Sequence, residues 1–304
     1  MPYVSTCPVC EGSRLEPYAR SAAAPERLHV EQAVCDGCGL LISQPQASQP
    51  EMDRYYRERY YRQNWPDGDA VVLENARTYE RYELPLMKQL WSDWAPKGGA
   101  TAVEIGCGYG AMLPLLQAEG FRVSGCDPSG DAVRFCRSRG LDVVEGGVPG
   151  APLPGPFDVT IAQHVIEHVP DPRPFVAELV ALTRPGGIVV IVTEDAWNAQ
   201  YAWERGLARL RGRTPAFRSS FDHTFVFSAA HLERLLRAAG CDDVRTCTFS
   251  YVPQHESLHW RLYKGSFRTL DRVLGRGDFL MAAGRVGSDP RRNMQAQVRE
   301  SSNR

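Results

Sequence analysis

The run Thr101-Ala-Val-Glu-Ile105 passes straight into Gly106-Cys107-Gly108-Tyr109-Gly110. A short apolar strand that ends in closely spaced glycines predicts a sharp turn at its carboxyl end. Beyond the turn, Met112, Leu113, Leu115 and Leu116 form the apolar face of a helix that Gly120 stops. Pro114 falls in its first turn, where a missing N–H does little harm. The unit then repeats. The spacing predicts strands over 122–126, 141–145, 157–162 and 188–193, with helices over 129–138 and 172–182 between them. Such alternation specifies an α/β fold, a parallel sheet with helices on both faces.

In such a sheet, ligands bind beyond the carboxyl ends of the strands. Bare glycine backbone lets a ligand approach there, and the next helix offers unpaired N–H groups. Asp127 ends the second strand 21 residues after Gly106, where a carboxylate can take ribose hydroxyls. The loop reads Glu104-x-Gly106-x-Gly108-x-Gly110, which is not the dinucleotide pattern G-x-G-x-x-G. With these residues the sequence resembles the class I S-adenosylmethionine-dependent methyltransferases from about residue 74 to 286. The turn Leu182-Thr-Arg-Pro-Gly-Gly187, a late helix from Ser228 to Gly240, and closing strands over 243–249 and 279–286 agree with it. The resemblance implies a Rossmann-like sheet of seven strands, the last one antiparallel. It also implies S-adenosylmethionine as cofactor. Glu104 would orient the loop or meet the methionine amino group. Gly106, Cys107 and Gly108 would line the methionine moiety, Asp127 would bind the ribose, and Pro128 would flank the adenine. The loop after the third strand carries no acid, so backbone groups of Gly147 and Val148 would meet the adenine.

Ahead of this domain lie Cys7-Pro-Val-Cys10 and Cys35-Asp-Gly-Cys38, 24 residues apart. Two such turns face to face offer four thiolates, a tetrahedral set that suits structural Zn2+. A module over 1–48 is too small to bury enough apolar surface alone, and metal coordination supplies folding free energy. Its three basic and five acidic residues have the wrong sign for a nucleic-acid surface. Residues 49–96 read as a helical linker. It includes a tyrosine-rich stretch, Asp53 to Tyr61, that either packs between modules or covers the cofactor as a lid, and an amphipathic helix over 74–94. The methyltransferase domain is expected over 97–286, and a polar, disordered tail over 287–304. Heads of this kind resemble enzymes that methylate sugars or other specialised metabolites.

The segment Ala162-Gln-His-Val-Ile-Glu-His-Val169 carries the H-x-x-E-H spacing of a zinc-protease helix. A β-type run precedes it, and Pro170 and Pro172 follow it, so no long helix can carry the motif. In the methyltransferase frame, Gln163 and His164 emerge beside the transferred methyl. His164 is a candidate general base, a contact to substrate or cofactor, or a packed residue; Glu167 and His168 would hold the turn. His223 is the second candidate base, with His255 and His259 behind it. Insertions over 195–222 (Arg205, Arg209, Arg211, Arg213 and Arg218) and 252–278 are expected to cap the acceptor. Their positive charge suits a small anionic or carrier-bound acceptor such as a sugar nucleotide. The remaining alternatives are an RNA methyltransferase and a non-catalytic, cofactor-binding regulatory protein. The net charge of −1 calls for no nucleic acid or anionic membrane, and no run approaches a membrane span. A cytoplasmic location follows as the expectation.

Overall fold

The two cysteine turns organise the first sheet. In the computed structural model, β1 (Leu15–Ser21), β2 (Glu31–Cys35) and β3 (Leu41–Gln44) form an antiparallel meander whose β2–β3 turn carries the second cysteine pair. Residues 3–21, 31–64, 67–94, 96, 98–195, 198–211, 216–217, 223–251 and 258–288 are described. Two short distant strands complete this sheet: β9 (Ala216–Phe217) runs parallel to β1, and β10 (Phe225–Val226) antiparallel to β3.

The linker is helical, as expected. α1 (Gln49–Tyr55) is capped by Ser48, whose N–H donates to Glu51 Oε2 at 2.9 Å. It runs through a wide π-turn, Tyr56–Tyr60, into α2 (Tyr61–Asn64). The second helix starts earlier than the predicted 74. The Asp67 carboxylate accepts from the N–H groups of Asp69 and Ala70, so α3 (Gly68–Thr78) begins there. A second π-turn, Tyr79–Glu83, joins it to α4 (Leu84–Leu90).

The main sheet has seven strands: β4 (Thr101–Ile105), β5 (Arg122–Asp127), β6 (Val143–Glu145), β7 (Phe157–Gln163), β8 (Thr183–Glu194), β11 (Cys241–Phe249) and β12 (Phe279–Val286). Their order is β11-β12-β8-β7-β4-β5-β6. The strands from β4 to β8 pair in parallel, and β12 runs antiparallel to both β8 and β11. This is the Rossmann-like sheet the sequence implied. The turn over 182–187 bulges out of the ladder: β7 pairs Phe157 with Thr183 and then Val159 with Ile188. Residues 188–192 are fully buried because helices cover both faces, which is why they read as an unbroken apolar run.

α5 (Leu113–Ala118) and α6 (Gly130–Ser138) join α4 on one face. α7 (Pro172–Ala181) and α9 (Ala229–Ala239) cover the other, and there Val9, Leu40 and Ile42 of the cysteine module enter the same core. α8 (Ala199–Leu210) and α10 (Leu258–Leu274) fall within the two expected insertions. Among the described residues, no helix is long and apolar enough to cross a membrane.

Polar contacts lock the module down at its cysteine turns. Arg173, in the first turn of α7, donates to Pro8 O at 2.5 Å and Val9 O at 3.1 Å and pairs with Glu11. Ser228, the expected cap of α9, donates its N–H to His231 Nδ1 at 3.0 Å. That tautomer makes His231 Nε2 the donor to Cys38 O, 2.9 Å away. Replacing Arg173 with Ala removes charged donors from two backbone carbonyls. It should lower stability by about 1.5–3 kcal/mol in urea unfolding and expose the module to limited proteolysis. Arg173→Lys should rescue only in part, because an ammonium cannot reproduce the guanidinium fork.

Candidate active site

Sheet topology brings the carboxyl ends of β4, β5 and β7 to one crevice, and the glycine loop spans it. Gly106 and Gly108 adopt φ values of +71° and +54°, which side chains with a Cβ rarely tolerate. A Cβ on Gly106 would also lie 2.5 Å from Val165. The N–H groups of Gly106 and Cys107 donate to Cys126 O, pinning the loop to the end of β5.

Asp127 is 2% exposed, and its carboxylate takes three donors. Ser129 N–H meets Oδ1 at 2.8 Å, while Gly108 N–H and the Tyr61 hydroxyl meet Oδ2 at 2.9 and 3.0 Å. Burial pushes its pKa up, to about 6, against the downward pull of these donors. Glu104 is 3% exposed, and its Oε2 has no partner within the protein. Burial and the neighbouring Cys136, Asp127 and Glu83 raise its carboxyl well above the usual range. Gln163, at the end of β7, donates its amide to the fully buried Glu83.

His164 leaves β7 with φ +53°, and its N–H donates to Val192 O at 2.8 Å. Its Nδ1 lies 3.4 Å from Glu167 Oε1. Thr193 donates its hydroxyl to Glu167 Oε2 at 2.9 Å. Burial opposes charging of His164, but Glu167, then Glu83 and Glu194, overcome it and raise the imidazole pKa to about 9. Burial likewise opposes charging of Glu167, yet the histidines, His164 foremost, hold its carboxyl at about 2. The pair is therefore ionic at neutral pH. Ile166–His168 forms a single 3-10 turn of three residues, so the zinc-protease helix is absent here.

His223 Nδ1 lies 3.3 Å from Glu194 Oε2, and its ring packs edge-on against His168 at 4.7 Å. His164, His168 and His223 open onto one cavity of about 450 Å³. Glu104, Gly106, Cys107, Gly108, Asp127, Pro128, Gly147, Val148 and Gln163 line it too, so every expected cofactor contact faces the same space. Tyr56, Tyr60 and Tyr61 of the tyrosine stretch line it as well. Among the described residues, no lysine or arginine lines the cavity. Of the groups invoked for an anionic acceptor, Arg211 is exposed on the surface. Arg213, Arg218 and His255, and the side chains of Arg205, Arg209 and His259, lie outside the described residues. Sequence reasoning did not find Glu83 or Glu194 as site residues, and it offered Tyr61 only as part of the tyrosine stretch, without its bond to Asp127. Each arrives from a distant segment without a local motif.

The four cysteine sulfurs of the N-terminal turns lie within 4.8 Å of one another, with Cys7–Cys38 at 3.6 Å and Cys10–Cys35 at 3.4 Å. Tetrahedral Zn–S bonds of about 2.3 Å would set sulfurs about 3.8 Å apart, so this donor set fits zinc with side-chain adjustments of an ångström or less. Burial raises the Cys7 and Cys38 thiols, a strain that a dication would relieve.

A family model for a methyltransferase domain matches residues 75–246. The ubiquinone biosynthesis O-methyltransferase of Thiobacillus denitrificans is 29% identical over 182 residues, 57% of this chain and 78% of that protein. Its counterpart in Methylococcus capsulatus is 34% identical over 136 residues, 42% of this chain and 54% of that protein. A structure of phosphoethanolamine N-methyltransferase 2 from Haemonchus contortus aligns with a TM-score of 0.51 at 13% identity, covering 90% of this chain and 68% of that one.

The His164–Glu167 pair carries a pH signature. The raised imidazole pKa contributes stability that is complete below the ordinary value of 6.5 and is lost as pH rises through about 9. The depressed carboxyl contributes stability present above its ordinary 4.5 and lost as pH falls toward 2. An NMR titration of the His164 ring should give a midpoint near 9. In Glu167→Gln the midpoint should drop by more than one pH unit, because burial then acts with its main opponent gone.

Proposed function

Because this chain belongs to the methyltransferase-domain family, we propose that it transfers the methyl of S-adenosylmethionine to a hydroxyl of a small, uncharged acceptor. The observation that carries this reading is the convergence of Glu104, the bare glycine loop, Asp127 and His164 on one cavity at the strand ends. The O-methyltransferase names of the similar proteins support an oxygen acceptor. The absence of lysine and arginine among the described cavity residues favours a neutral acceptor over a sugar nucleotide.

S-adenosylmethionine supplies an activated methyl on a sulfonium. The Asp127 carboxylate takes the ribose hydroxyls, Glu104 takes the ammonium of the methionine moiety, and Pro128, Gly147 and Val148 flank the adenine. The chain must then align the acceptor with the methyl and exclude water, which contributes on the order of 7–11 kcal/mol. His164, held as an imidazolium by Glu167, cannot accept a proton; it stabilises the acceptor oxygen as that oxygen becomes anionic. His223, with Nδ1 turned to Glu194, presents Nε2 as the proton acceptor. The four cysteines would hold one structural zinc ion, which would fix the turns gripped by Arg173 and His231.

Calorimetric titration should show S-adenosylmethionine binding that Asp127→Ala abolishes; unchanged affinity would remove Asp127 from the cofactor site. Neutral phenols and sugars, screened for release of S-adenosylhomocysteine, should yield an acceptor whose turnover falls about 10²–10⁴-fold in His223→Ala. Metal analysis should return about one zinc per chain, lost in the double variant Cys35→Ser/Cys38→Ser.

A further inference from the structure

The Tyr61 hydroxyl donates to Asp127 Oδ2 at 3.0 Å, the carboxylate assigned above to the ribose. The same hydroxyl lies 3.2 Å from the point where a Cβ on Gly108 would sit. Two features reserved for the cofactor, a bare glycine and an acceptor carboxylate, are thus both used by one side chain of the lid.

Counting lone pairs sharpens the conflict. A carboxylate offers about four acceptor positions. Ser129 N–H occupies one on Oδ1, and Gly108 N–H and Tyr61 occupy both on Oδ2. One position remains, whereas a ribose diol brings two donors. The Ser129 and Gly108 bonds belong to the α6 cap and to the glycine loop, so Tyr61 is the donor that can leave. Asp127 is buried, and losing that donor without replacement would leave its charge poorly solvated. Tyr61 therefore satisfies Asp127 until another hydroxyl takes its place.

We infer that Tyr61 is a stand-in for the cofactor's ribose: S-adenosylmethionine enters by displacing the Tyr61 hydroxyl from Asp127, releasing the lid at α2. The consequence reaches the acceptor end. Tyr61 packs on Tyr60 at 5.1 Å, Tyr60 on Tyr56 at 4.8 Å, and Tyr56 against His168 at 5.7 Å, all by ring centroids. The ring contacts of Tyr61 thus run on to His168, beside His223. This inference rests on the methyltransferase reading above.

The test is calorimetric titration of the full-length chain and its Tyr61→Phe variant with S-adenosylmethionine. Phenylalanine keeps the ring packing and removes only the competing hydroxyl. The expected result is affinity about threefold to tenfold tighter in the variant, with faster hydrogen exchange over 56–64 on cofactor binding in the wild type. Equal or weaker binding by Tyr61→Phe would overturn the inference and make Tyr61 a packing residue or a clamp. The methyltransferase reading is tested separately in the same titration, because its failure leaves the wild type without binding. A melting curve for each protein shows that both are folded, and Tyr61→Leu, which also lacks the hydroxyl, must tighten binding in the same direction.

Discussion

A buried carboxylate must be surrounded by donors, and Asp127 shows how much of a fold that requirement can organise. Its three donors come from the glycine loop after β4, the cap of α6 and the helical linker. Loop, helix and linker are therefore referenced to one side chain at the end of β5. The loop can reach it because Gly106 and Gly108 adopt a left-handed backbone. The donors come close to satisfying the charge but do not offset burial in full, which leaves the pKa raised to about 6.

Two histidines of the cavity are each oriented by a carboxylate. Glu167 faces His164, and Glu194 faces His223. The two pairs suit different tasks. In the proposed reading the imidazole beside the buried Glu167 stays protonated and steadies an anion, whereas the one oriented by the half-exposed Glu194 takes up a proton.

The cysteine module is wired into this end of the site. Ser43 of β3 donates its N–H to Thr224 O at 2.9 Å, and Thr224 donates its N–H to Glu167 O at 2.6 Å. Arg173 and His231 hold the two cysteine turns. The module thus contributes part of the framework that positions the H-x-x-E-H turn, and its sheet includes β10, which lies next to His223 in sequence.

Much of the architecture was legible locally. Apolar periodicity and turn residues located the strands and helices of the main sheet, because those patterns follow from burial and backbone geometry over a few residues. The prolines after His168 excluded a metal-binding helix for the same reason. Four cysteines in two close pairs announced a metal-fitting cluster, since each turn carries its own pair. The contacts of Tyr61, Glu83, Glu194 and Arg173 were not legible, because each meets partners more than twenty residues away in the chain. The protonation of His164 was also hidden: its sequence says only that an imidazole is present. Whether that ring is a base or a cation depends on Glu167, Glu83 and Glu194 converging around it, and electrostatic energy depends on distance in space rather than along the chain.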